Sequence, residues 1–315
     1  MIGETLMSTP NSQFVFAADL GGTHLRVATV DLNGQIYCRQ VQPTPQAEKP
    51  NEIVRALVTA VYECKDKTEA EGGVISAVSV AVPGTVNVTD GVVVKAPNVP
   101  CLDGFRLGAA LESELEWPVI LENDANAAAL GEMWRGAGQG YRTLICVTLG
   151  TGVGGGLVLR GELFREWTEF GHIVLEYDGD PCFGACTGRG HLEAYASGTA
   201  ATLRAQDAFG PAVDAHRLVR LAEERNDEAI EILDGIGRRL GAGIGTLVNI
   251  FDAELCVLGG GFAAAQQFLV PAALEVARRE ALAPAGERLR IVRSELGTMA
   301  GLIGAGLVGF DALAA

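Results

Sequence analysis

Basic residues are scarce. The chain has 24 Lys and Arg against 39 Asp and Glu, a net charge of −15. That deficit argues against a nucleic-acid surface, which needs clustered Lys and Arg to neutralise phosphates. No Lys or Arg precedes Arg26, so the basic start of a secretory signal is missing. No apolar run of about 18 residues escapes a charge, a proline or a glycine cluster, and a membrane span is not expected. Paired cysteine spacing is also lacking: Cys38, Cys64, Cys101, Cys146 and Cys256 stand singly, and only Cys182 and Cys186 are close. An odd, scattered set is not a secreted disulfide framework and points to a reducing, cytoplasmic setting.

What is present is a well-packed globular composition. The 315 residues are 48% hydrophobic and 20% charged. Disorder is excluded, and the length suits two domains. The 41 glycines are not periodic as in collagen but cluster in particular turns.

Residues 14–30 read as strand, glycine turn, strand, with Gly21-Gly22 as the break. Asn33-Gly34 signals a hairpin into a third strand near 35–40. Prolines mark a loop over 41–50. Helical spacing of Ile53, Leu57 and Val61 follows, then a buried strand over 74–82 that ends at Pro83-Gly84. Residues 118–122 form another strand that runs straight into an alanine-rich helix with Asp124 near its start. Residues 143–163 repeat the opening pattern. Aligning DLGGT (19–23) on TLGTG (148–152) gives an internal offset of 129, the mark of a duplicated unit. The fold class is therefore α/β with two similar halves. The first is expected over 1–122 and the second over 123–298, with an irregular insertion at 169–198. An apolar helix at 299–315 is expected to cross back to the first half.

The glycine turns carry a chemical reading. Without Cβ the main chain approaches a ligand closely, and consecutive N–H groups cradle an anion. Asp19 beside such a cradle makes sense with a divalent cation between them. The first turn is not a Walker A loop, since no Gly-Lys-Ser/Thr follows, and residues 21–26, Gly-Gly-Thr-His-Leu-Arg, do not match GxGxxG; an ordinary tight hairpin is the plain alternative. A third cluster, Gly259-Gly260-Gly261, follows a strand at 254–258. Asp124 lies at a strand end, where ligands bind in open α/β sheets, or else simply caps its helix. In the insertion, His172, Cys182, Cys186 and His191 form a Cys2His2 set with zinc-compatible spacing. The alternative is two free thiols and two surface histidines.

Taken in order, DLGGTHLR (19–26), VPG (82–84), APNVP (96–100), LENDANAAALGE (121–132), TLGTGVGGG (148–156), EFGH (169–172), GRGHLEAYASG (188–198) and NIFDAELCVLGGG (249–261) resemble the ROK family of sugar kinases and sugar-responsive repressors. Within that family the bacterial glucokinases are the nearest pattern. The resemblance implies an actin-like ATPase (ribonuclease H-like) fold with two domains around a closable cleft. It implies ATP, Mg²⁺ and phosphorylation of a hexose on a primary hydroxyl, with Asp124 as the base. Asn98, Asn123, Asp124, Glu169, His172 and Glu193 would hold the sugar. Asp19, Gly21, Gly22 and Thr23, together with Gly150, Thr151 and Gly152, would hold the phosphates, and Gly259, Gly260 and Gly261 would border the adenosine.

His172 would also ligate a structural Zn²⁺ with Cys182, Cys186 and His191. The family's usual Cys-x-Cys-Gly-x-x-Gly-Cys loop is altered here, with the first two cysteines four apart and His191 in place of the last. Only 18 residues precede Asp19, too few for the winged helix of the family's repressors. Glucose is the favoured substrate; fructose, mannose, an N-acetylhexosamine, or a non-catalytic sugar sensor are the alternatives. A polyphosphate donor would want a basic groove, for which an acidic chain offers little. A homodimer is implied by the resemblance alone.

Overall fold

The computed structural model describes residues 13–184 and 186–314. The first twelve residues, which the expected first half includes, and Ala315 of the expected terminal helix lie outside the described residues. Two compact units are present. The first contains, in chain order, β1 (Gln13–Leu20), β2 (His24–Asp31), β3 (Ile36–Pro43), α1 (Pro50–Ala70), β4 (Val74–Val82), β5 (Thr85–Asn87), β6 (Val92–Lys95), α2 (Leu107–Glu112), β7 (Val119–Asn123) and α3 (Asp124–Arg135). The second, Gly136–Gly297, contains β8 (Leu144–Leu149), β9 (Val153–Leu159), β10 (Glu162–Leu163), α4 (Leu192–Ala196), α5 (Gly198–Phe209), α6 (Ala215–Glu223), α7 (Asp227–Phe251), β11 (Leu255–Gly259), α8 (Gln266–Glu280), α9 (Ala285–Arg288) and β12 (Arg290–Arg293). The chain then returns to the first unit as α10 (Ala300–Ala314).

Each unit is built on a five-stranded mixed sheet. The orders are β3-β2-β1-β4-β7 and β10-β9-β8-β11-β12. In both, the first three strands run antiparallel and the last two join in parallel. The two topologies are the same, and the offset of 129 read from the sequence lands on the strand ends: Leu20 on Leu149 and His24 on Val153. This is the duplicated α/β architecture of the actin-like ATPases.

In the first unit, β1 is central, and six of its eight residues are buried, as expected for a strand covered on both faces. α1 begins at Pro50, which fills the first helical position, where the missing N–H costs nothing. The sequence places that proline in a loop. Ile53, Leu57, Val61 and Cys64 of α1 line one stripe over Phe14 and Phe16. The opposite sheet face, with Ala17, Ala28 and Val30, is closed by Leu302 and Ala305 of α10.

α3 packs with this unit as well, beyond the boundary of 122 drawn from the sequence. The cause is a close crossing with α10. A Cβ on Gly304 would lie 1.7 Å from the Ala127 carbonyl oxygen, and one on Gly131 would lie 2.2 Å from that of Ala300. Residues 297–314 are apolar enough, by length and composition, to cross a membrane. In the fold they form a core helix, with Leu302, Ala305 and Val308 fully buried.

In the second unit the core gathers on α7. Leu233, Ile236, Leu240, Ile244 and Leu247 meet Ile145, Val147 and Leu149 of β8 and Leu269 and Ala273 of α8.

The α3–α10 crossing yields a prediction. Gly304→Val forces two helix backbones apart and is expected to cost about 3 kcal/mol or more. Thermal unfolding of the purified variant checks this, and an unchanged Tm would refute the crossing.

Candidate active site

In the first unit the site grows from the carboxyl ends of β1, β4 and β7. Asp19 pairs in register with Ala81, and Ala81 with Glu122. At about 4.8 Å per strand, β1 and β7 stand roughly 10 Å apart, so the glycine turn after Leu20 and Asp124 after Asn123 leave the same sheet end. The turn is closed by Gly21 N–H donating to the His24 carbonyl at 2.9 Å. Thr44 braces it, its hydroxyl donating to the Gly21 carbonyl at 2.6 Å and its N–H to that of Thr23 at 2.9 Å. Gly22 lies against Asn98; a Cβ there would sit 2.9 Å from that of Asn98. Asp19, Gly21, Gly22, Thr23 and Asn98 are thus brought together.

The Asp19 carboxylate accepts from Arg26 at 3.1 Å through Oδ2. Burial pushes its carboxyl up from the ordinary aspartate value, and the Arg26 charge and hydrogen bond oppose that. Sequence reasoning missed Arg26. The signal was available, because residues 19 and 26 face each other across the Gly21-Gly22 hairpin. A cation fits here. Among the described residues the second oxygen of Asp19 has no protein donor, and a desolvated carboxylate gains from a divalent ion.

At β7 the polar cluster is tightly ordered. Asn123 Oδ1 accepts from Ala125 N at 2.9 Å and Asn126 N at 3.0 Å, and its Nδ2 donates to the Gly84 carbonyl at 2.7 Å. Asn123 therefore does the capping that the bland reading assigned to Asp124. Gly84 is fixed in this role. Its φ is +93°, and a Cβ would lie 2.2 Å from the Lys95 carbonyl. The buried Glu122 accepts from Asn123 N at 3.0 Å and Asn126 Nδ2 at 3.1 Å. Asp124 Oδ1 is aimed by Ala125 N at 2.9 Å and Asn123 Nδ2 at 3.3 Å. Its side chain is half-buried at the head of α3.

In the second unit the equivalent hairpin, Gly150–Gly152, is stapled to the N-terminus of α5. Gly198 N donates to the Gly150 carbonyl at 2.8 Å, and the Thr199 hydroxyl to that of Thr151 at 2.6 Å. The electropositive helix end lies beside the glycine turn, an arrangement that favours anions. A cavity of about 340 Å³ opens there, lined by Gly150, Thr151, Gly198, Thr199, Gly261 and Phe262, with Asp214 and His216 of the α6 start. Gly261 joins the hairpin in this wall. Gly259 stays in the sheet opposite Thr148, and Gly260 turns the chain at φ +84°. Thr199, Asp214, His216 and Phe262 were missed in the sequence, where nothing in their spacing links 199, 214 and 262.

The insertion brings its four ligand candidates together. The atoms of His172, Cys182, Cys186 and His191 all lie within 4.8 Å of one another. His172 Nδ1 is 3.1 Å from His191 Nδ1, and the sulfurs lie 3.6–3.9 Å from the ring nitrogens. Tetrahedral zinc, with Zn–S of about 2.3 Å and Zn–N of about 2.0–2.1 Å, asks for edges of roughly 3.4 and 3.6 Å. The donor set fits that ion. Both histidines turn Nδ1 inward.

Glu193 sits beside this cluster. Its Oε2 accepts from Val153 N at 2.9 Å, and its Oε1 lies 3.8 Å from Cys182 Sγ. It therefore reaches the glycine hairpin, a contact the sequence did not suggest. Glu169 is exposed just before a short 3₁₀ turn, and its carbonyl accepts from His172 N at 3.0 Å.

Comparison with known proteins agrees with this geometry. Residues 15–309 match the ROK family. A glucokinase of Thermotoga maritima is 32% identical over 81% of this chain and 84% of its own. An N-acetyl-D-glucosamine kinase of Salmonella newport is 30% identical over 92% of this chain and 97% of its own. A solved ROK-family glucokinase from Streptomyces griseus, in complex with glucose and AMPPNP, superposes with a TM-score of 0.78. It is 31% identical and covers 95% of this chain and 99% of that one. With two sheets of one topology, glycine turns at matching strand ends and a match along nearly its whole length, the chain belongs to the ROK family.

Proposed function

We propose that this protein transfers the γ-phosphoryl group of ATP to the primary hydroxyl of a hexose, with glucose as the preferred acceptor. The reading rests on one observation above all. Asp124 is aimed by a polar cluster at the same parallel-strand end as the Asp19 glycine turn. The glucose and AMPPNP bound by the Streptomyces griseus relative and the glucokinase of Thermotoga maritima support it.

The first unit supplies the acceptor chemistry. Asn98 and Asn123 hold sugar hydroxyls, and Asp124 receives the proton as the hydroxyl oxygen attacks the γ-phosphorus. The bond to the bridging oxygen of ADP breaks at the same phosphorus. Such transfer is largely dissociative, so the proton moves late and an ordinary carboxylate suffices as the base. The second unit supplies nucleotide binding. Main-chain N–H groups of the Gly150–Gly152 turn and the α5 N-terminus face the phosphates, and the cavity floored by Gly261 and Phe262 receives the nucleoside. Asp19 would hold Mg²⁺, which neutralises charge developing on the phosphates.

His172, Cys182, Cys186 and His191 would hold a structural Zn²⁺ that orders the loop. With Nδ1 committed to the metal, the His172 Nε2 is left for a sugar hydroxyl, alongside Glu169 and Glu193. The scattered cysteine spacing suits a reducing, cytoplasmic setting, and a homodimer follows the family pattern.

An N-acetylhexosamine is the second substrate reading, favoured by the Salmonella newport relative. ADP release with MgATP and a panel of hexoses, including N-acetylglucosamine, separates the two. Highest kcat/KM with glucose is the expected result. No turnover with any hexose would end the kinase reading.

Two predictions follow from the residues. Asp124→Asn should lower kcat by about 10²–10⁴-fold with little change in the dissociation constant for the sugar; a variant that keeps most of its turnover removes Asp124 from the base role. Metal analysis should find one zinc per chain. Chelation should lower the Tm and raise the KM for sugar through a loosened His172, and metal-free protein with unchanged Tm and KM would contradict the site.

A further inference from the structure

Two arginines in the second unit, Arg204 of α5 and Arg239 of α7, form no salt bridge among the described residues. Their guanidinium carbons lie 5.9 and 5.3 Å from the centre of the Tyr195 ring, so both are held on one aromatic side chain. The Nε of Arg204 is buried without a hydrogen-bond partner. Burial first, and then repulsion from Arg239, weakens the hold of Arg204 on its proton, and the more distant carboxylates of Asp180 and Asp207 offset this only in part. Neighbouring like charges with an unsatisfied donor call for an anion to lie between them.

A cavity of about 350 Å³ is available for it, lined by Arg204, Glu228, Glu231, Ile232, Gly235 and Arg239. The residues from α7 follow helical spacing along one stripe. Gly235 floors the cavity, and a Cβ there would meet nothing within 4 Å. Glu231 and Glu228, about one and two turns from Gly235, have no ion-pair partner among the described residues. The wall thus offers two guanidinium groups at one end and two carboxylates at the other. A phosphate monoester satisfies the first pair, and donating hydroxyl groups satisfy the second. The volume is within the ordinary range for small-ligand sites.

We propose that this cavity binds a sugar phosphate, specifically a hexose 6-phosphate, the chemical class of the reaction's own product. The phosphate end follows from the arginines alone, whereas the choice of hexose rests on the proposed function. The site is also wired to the metal loop. The Tyr195 hydroxyl accepts from Asp180 N at 2.8 Å and donates to Glu176 at 3.2 Å, and Glu193 lies two residues earlier on α4. Occupancy of the arginine pair bears directly on the ring that anchors the loop carrying Cys182.

The test is calorimetric titration of protein presaturated with glucose and AMPPNP, so that the active site is filled. Glucose 6-phosphate and inorganic phosphate are the two probes. One equivalent of glucose 6-phosphate per chain is expected, at least ten-fold tighter than inorganic phosphate. Gly235→Leu, which fills the floor without touching the arginines, and the double variant R204Q/R239Q should each weaken it ten-fold or more, and Gly235→Leu should keep wild-type turnover. Absence of binding to the presaturated wild type, or undiminished binding to Gly235→Leu, overturns the site. Equal affinity for both probes overturns the sugar part. Failure of the kinase reading would show separately, as no heat from glucose and AMPPNP and no ADP release, while the inorganic phosphate arm still reports on the arginines.

Discussion

A polyanion cannot be held by a surface of its own charge sign. For a chain of net charge −15, this constraint puts main-chain donors at the centre of the proposed nucleotide grip. Both units carry the same device: a strand ends and glycines let the backbone turn tightly, closed by Gly21 N–H on the His24 carbonyl in one and Gly150 N–H on that of Gly152 in the other. In the second unit the turn is pinned to a helix N-terminus by Gly198 and Thr199. In the first it is pinned by Thr44 and bordered by Arg26 on Asp19. Neither turn contains a lysine.

The same economy governs the polar residues around the turns. Asn123 caps α3, ties to the carbonyl of Gly84 and aims Asp124. Glu193 touches the second hairpin with one oxygen and faces a cysteine of the Cys/His cluster with the other. The hairpin and the Cys/His loop therefore meet in one carboxylate. Substitution at Glu193 cannot be read as loss of a single contact, because neighbours in one network do not contribute additively.

Much of this was legible in the residues. The offset of 129 located the ends of four strands, because a duplicated hairpin repeats its glycines at fixed spacing. The strand ending in Asn123 and Asp124 was visible because an apolar run stops abruptly at polar side chains. The four zinc candidates were visible from residue type alone. Other features were not. The wall of the cavity beside the second glycine turn draws on residues 150, 199, 214 and 262, which only tertiary folding brings together. The partnership of Arg26 with Asp19 depends on hairpin register. The grouping of α3 with the first unit depends on two glycines, 131 and 304, whose significance appears only when the helices cross.

The return of the last helix to the first unit has a consequence for biosynthesis. One face of the β1-centred sheet, with Ala17, Ala28 and Val30, is closed by residues near the end of the chain. While the ribosome is still translating the middle of the message, that face has nothing to cover it. The intervening unit, contiguous over Gly136–Gly297, has its whole sequence available before the final segment emerges. The β1-centred sheet is therefore completed only after the intervening unit has been made, and a nascent chain carries an open apolar sheet face until then.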